Sequence, residues 1–170
     1  RALQKDPGSL ESLEQMTAIL VSQRRTAEAR EHVSRHISVS PNNAKLHHLL
    51  GRVFMEGQNL PQAETAFKKA IALDKDYLST YVTLGELYAQ QGKVSQAIHE
   101  LEQVLKKSPE QPQIFTLLGM LHEQQRDNPR AMASYEEALR VNPNFAPAAN
   151  NLAWILLDQG GDTDRALSYA

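Results

Sequence analysis

Residues 81–109, YVTLGELYAQQGKVSQAIHELEQVLKKSP, decide the fold. Tyr81, Leu84, Leu87 and Tyr88 recur at spacings of three and four, which marks one face of an α-helix rather than a strand. Gly92 falls where that helix must stop, and Pro109 ends the next one. The same marks return outside the stretch at a fixed distance. Pro7, Pro41, Pro109 and Pro143 fit a period of 34, with Lys75 at the one place where proline is missing. Ala29, Ala63, Ala97 and Ala131 keep that period, and so do Gly51, Gly85 and Gly119, each preceded by a leucine (Leu50, Leu84, Leu118). Phe54, Tyr88 and His122 follow the glycines, and Val33, Phe67, Leu101 and Tyr135 follow the alanines, each series in the same register.

A unit of this length and pattern resembles the tetratricopeptide repeat. The third unit carries it as Tyr81, Leu84, Gly85, Tyr88, Ala97, Leu101 and Pro109. The fourth carries it as Phe115, Leu118, Gly119, His122, Ala131, Tyr135 and Pro143. The resemblance implies an all-α, right-handed solenoid of antiparallel helix pairs in which stacked neighbours bury one continuous core. One array is expected over residues 1–170: 1–9 as the tail of a preceding repeat, complete repeats at 10–43, 44–77, 78–111 and 112–145, and a partial fifth at 146–170. Repeat one is the weakest match, with Leu13, Met16, Thr17 and Leu20 at the aromatic and glycine positions. Gly57, Gly92 and Gly160 are expected to stop first helices, and Pro61 and Pro129 to sit in the opening turn of second helices.

Composition narrows the function. The chain of 170 residues is 41% hydrophobic, too apolar for a disordered chain, and no apolar run approaches the length a spanning helix needs, so no membrane insertion is expected. With 18 Lys+Arg against 20 Asp+Glu and no unit forming a basic stripe, the charge argues against nucleic acid. The absence of cysteine excludes disulfides and thiolate metal sites. The sequence begins at Arg1 and is expected to be a piece of a longer protein.

Catalytic signatures fail on inspection. His122-Glu123-Gln124-Gln125-Arg126 has an arginine where a zinc helix needs its second histidine. His32 and His36 share a helix face but lack a third ligand. Gly85 to Gly92-Lys93 has neither the strand nor the hydroxyl residue of a phosphate loop. No enzyme activity, metal or cofactor is expected.

In proteins of the resembled family, first helices face the concave surface. The matching positions nominate Lys45, His48, Arg52, Met55, Val82, Glu86, Thr116, Met120, Glu123, Asn150 and Trp154 as a peptide-binding groove. Across all groove positions six acids (Glu11, Glu14, Glu56, Glu86, Glu123, Asp158) face two bases (Lys45, Arg52), so the expected partner is a basic, partly apolar protein segment. The Lys/Asn/Arg clamp that grips chaperone tails in some members is absent: Glu14, Ala18, Leu49, Ser79 and Thr83 occupy its places. Trp154 is either a groove anchor or a packing residue against the rest of repeat five. The alternative function is structural, with exposed repeat ends stacking or swapping into oligomers. Residues 142–154 look like bacterial tetratricopeptide proteins that accompany exopolysaccharide export and PEP-CTERM sorting. That likeness suggests a periplasmic or envelope-associated parent protein, with a cytoplasmic one as the alternative.

Overall fold

The computed structural model describes residues 10–158. Among them the chain forms nine α-helices and no strand: α1 (Leu10–Ser22), α2 (Thr26–Val39), α3 (Ala44–Glu56), α4 (Leu60–Leu73), α5 (Leu78–Gln90), α6 (Val94–Lys107), α7 (Pro112–Gln124), α8 (Asn128–Val141) and α9 (Ala146–Asp158).

The turn inside each helix pair is built the same way four times. Arg24, Gln58, Gly92 and Arg126 stand one period apart, and all take left-handed backbone, with φ of 59°, 59°, 71° and 61°. The amide after each reaches back to a carbonyl of the first helix. Arg25 N donates to Leu20 O, Asn59 N to Phe54 O and Lys93 N to Tyr88 O at 2.8 Å, and Asp127 N donates to His122 O at 2.9 Å. These bonds cap carbonyls that the helix end leaves open. Glycine marks the left-handed residue only at Gly92. Gly57, which in sequence looks like the same device, has φ −77°, and Gln58 carries the left-handed turn. Gly160 lies outside the described residues.

Helix starts are local chemistry. Asn59 Oδ1 accepts from Gln62 N and Asp127 Oδ1 from Arg130 N, while Pro61 and Pro129 occupy first-turn positions whose N–H would have no partner. Second helices stop before Pro41, Pro109 and Pro143, on Ser40, Ser108 and Asn142, with φ of −132°, −140° and −138°. Asp74 holds the same geometry before Lys75, with φ −144°. There the Asp74 carboxylate accepts from Asp76 N at 2.9 Å, the same turn that Asn142 Oδ1 makes with Asn144 N at 3.1 Å across Pro143.

The chain divides into two compact units, residues 1–87 and 88–170, with the division inside α5. In the first unit α1 packs on α2 and α3, α2 on α3, and α3 on α4. Leu13, Leu20, Ala29, Val33, Leu46, Leu49 and Val53 belong to its core, as does the fully buried Phe67. The periodic glycine has a plain steric cause here: a Cβ on Gly51 would stand 2.5 Å from Phe67 Cε1, so α3 and α4 approach as closely as they do because position 51 has no side chain. In the second unit α6 packs on α7, α7 on α8, and α9 on α7 and α8. Tyr135, Ala138, Leu152, Ile155 and Leu156 belong to its core, and Tyr135 takes against Gly119 the place that Phe67 takes against Gly51.

Candidate functional site

In the first unit the first helices of successive pairs, α1, α3 and the start of α5, line a groove with two adjoining recesses. The larger, about 560 Å³, is lined by Glu14, His48, Leu49, Arg52, Met55, Glu56, Tyr77, Ser79, Thr83 and Glu86. The smaller, about 250 Å³, has an apolar floor of Ala18, Val21, Leu49 and Val53 and shares Glu14, Arg52 and Glu56 with its neighbour. Helical periodicity explains the set: His48, Arg52, Met55 and Glu56 fall on one stripe of α3.

His48, Arg52, Met55 and Glu86 therefore come together, while Lys45 and Val82 are outside the residues lining either recess. Lys45 is exposed in the first turn of α3, where its amide donates to Asn43 Oδ1, and Val82 is half-buried on α5. Tyr77 is the lining residue that periodicity misses in the larger recess. It precedes α5 in the inter-repeat loop, beyond the helical stripe from which groove positions are read.

His48 is not an open surface histidine. It is only 8% exposed, packs edge-on to Tyr77 with ring centroids 5.2 Å apart, and lies tilted against Phe67 at 5.6 Å. Burial first, and the Arg52 charge second, lower its pKa to about 4, so the ring is neutral at pH 7. Its Nδ1 is buried without a hydrogen-bond partner among the described residues. Glu86 is exposed as a residue, yet the protein around its carboxylate raises its pKa, and Arg52 acts in the opposite direction. Tyr77 is also shifted upward, mainly by burial and then by the Glu14 charge.

The nominated residues of the second unit behave differently. Thr116 is buried and its hydroxyl donates to Pro112 O at 2.8 Å, so its side chain is spent inside α7. Glu123 is half-buried and accepts from the Tyr135 hydroxyl, which burial and that bond hold well above the ordinary tyrosine range. Met120 on α7 and Trp154 on α9 are open, at 52% and 68% exposure, and Asn150 is exposed one turn before Trp154 on α9.

Among the described residues no group of three or more His, Cys, Asp or Glu side chains converges. His36 Nδ1 is engaged with His32 O at 2.9 Å, within its own helix. No helix among the described residues is long and apolar enough to cross a membrane.

Comparison with solved structures places the same architecture in several bacterial proteins. The Pseudomonas aeruginosa pilF structure superposes with a TM-score of 0.80 at 22% identity, covering 94% of this chain and 72% of that one. A crystal structure of MamA gives 0.76 at 20% identity over 90% and 89% of the two chains. A tetratricopeptide repeat protein from Parabacteroides merdae gives 0.78 at 20% identity over 94% and 64%. At such identities the likeness is one of fold, an all-α solenoid. No curated protein sequence matches the chain significantly. A tetratricopeptide repeat model matches residues 134–168. The model of the cytochrome c-type biogenesis protein H TPR domain matches residues 33–149, well over half the chain, and the protein belongs to that family of bacterial tetratricopeptide repeat proteins.

Proposed function

We propose that the groove of the first unit holds an extended segment of a partner protein that is basic and partly apolar. The tetratricopeptide fold makes the chain a non-catalytic scaffold for protein–protein interaction, and the groove is where its chemistry is best suited to a partner. The observation that carries the reading is the composition of the two recesses. Three carboxylates, Glu14, Glu56 and Glu86, surround one cation, Arg52, beside the apolar floor of Ala18, Val21, Leu49 and Val53. With His48 neutral, the groove keeps a net negative charge at pH 7. Anchor burial on such a floor supplies affinity, and the surrounding charges supply register and speed of encounter.

The likeness of residues 142–154 to proteins of exopolysaccharide export and PEP-CTERM sorting supports placing the partner in a bacterial envelope assembly. The reading is tested by affinity capture from the native organism's extract, comparing the chain with a Glu14→Lys/Glu86→Arg variant of equal helicity. A partner retained by the first and lost by the second supports the groove. Equal capture by both refutes it.

A further inference from the structure

On the second helices of the first unit, or at their starts, several charged residues pair with one another, while Arg30 and Lys69 form no ion pair among the described residues. Arg25 pairs with Glu28 at 2.7 Å, Arg35 with Glu31 at 2.9 Å and Lys68 with Glu64 at 2.7 Å, all within a turn of each other. The charges of the groove on the first helices do not pair. Glu14, Arg52, Glu56 and Glu86 form no ion pair and no side-chain hydrogen bond among the described residues, although Arg52 and Glu56 lie one helical turn apart. Arg52 is near enough to act on Glu86 and His48 without closing on a carboxylate.

A second observation points to a ligand at the same place. His48, more than nine-tenths buried, lines the larger recess with Nδ1 unpartnered, and Thr17, 2% exposed, lines the smaller one with Oγ1 unpartnered. Thr80 is likewise fully buried with Oγ1 unpartnered, though it lines neither recess. Thr65, Thr83 and Thr116 all donate to the carbonyl four residues back, the ordinary resting place of a helical threonine hydroxyl.

Resting on the groove reading above, we propose that this site selects a segment of mixed charge: an acidic residue for Arg52, flanked by basic residues for Glu14 with Glu56 on one side and Glu86 on the other, with an apolar residue next to the Glu14 end for the smaller recess. A wholly basic segment would bring a like charge onto Arg52, and a wholly acidic one would meet three carboxylates. Only the alternating pattern gives each groove charge an opposite partner, and specificity of this kind comes as much from the repulsions as from the attractions.

The test is fluorescence anisotropy at low salt, using labelled synthetic peptides with the cores Leu-Lys-Glu-Lys, Leu-Lys-Gln-Lys and Leu-Glu-Lys-Glu. The protein is the whole chain and its Arg52→Gln variant, matched for helicity by circular dichroism. The first core should bind about three- to tenfold tighter than the second, as expected for one or two partly exposed ion pairs, and the third should bind weakest. The preference for the first core over the second should vanish in Arg52→Gln. Equal or tighter binding of the Gln-containing core to the unmodified protein overturns the charge pattern and leaves the groove reading standing. So does a preference that survives Arg52→Gln. If none of the three peptides binds, both the pattern and the groove reading fall.

Discussion

Replacing Gly51 by alanine tests whether the repeat's glycine is there for steric reasons. Alanine should favour a helix interior by about 1 kcal/mol over glycine, so propensity alone predicts stabilisation. The structure predicts the opposite. The new Cβ would stand 2.5 Å from Phe67 Cε1 and 2.6 Å from Cδ1, about an ångström inside ordinary van der Waals contact, and Phe67 is fully buried with nowhere to retreat. Overpacking of a closed core costs about 1–3 kcal/mol, which cancels the propensity gain and leaves a net loss of up to about 2 kcal/mol. The assay is urea unfolding followed by circular dichroism on Gly51→Ala, Phe67→Leu and the double variant. Phe67→Leu alone should cost about 1–2 kcal/mol for the lost ring volume. The double variant should cost less than the two single costs added, because the shortened side chain makes room for the methyl group. Gly57→Ala is the control. Its φ is −77° and its nearest new contact is Val53 O at 3.3 Å, so it should change stability by no more than about 0.5 kcal/mol. A Gly51→Ala variant more stable than the parent by the full propensity gain of about 1 kcal/mol, or strictly additive costs in the double variant, would refute the steric account.

Two further outcomes follow from the geometry. His48 has a folded pKa of about 4 against an ordinary value of 6.5, so the unfolded chain binds its proton first as pH falls. Stability from this group is intact above about pH 6.5 and drains away towards pH 4, by about 2–3 kcal/mol after allowing for partial solvent screening; His48→Phe should flatten that part of the denaturation midpoint against pH. Gln58 and Arg126 hold left-handed backbone without the freedom of glycine, so Gln58→Gly and Arg126→Gly should each raise stability by about 0.5–1 kcal/mol in thermal or urea unfolding, against the usual cost of introducing glycine.

Much of the architecture is legible because it is written in spacing. Leu84, Gly85, Tyr88 and Ala97 report a helix face, a close approach and a turn through distances along the chain alone, and the structure builds α5 and α6 around them. The stripe of α3 that carries His48, Arg52 and Met55 is equally a matter of register, since a helix fixes which residues share a face before anything packs on it. What register cannot convey is what each side chain meets once helices are stacked. Thr116 and Met120 look alike as groove positions, yet one is buried with its hydroxyl turned into its own helix and the other stands open. Glu123 counts as a free acid in sequence until Tyr135, folded back from the next helix, donates to it. Tyr77 enters the groove from a loop whose path no periodicity describes. The turn at Gln58 shows the same division: the sequence places a turn near Gly57, but hydrogen bonding from Asn59 to Phe54 decides which residue takes the left-handed backbone. Helix positions and faces were thus set by local spacing, because helical geometry is a property of consecutive residues. Burial and the neutral state of His48 were set by packing, because they depend on neighbours far apart along the chain.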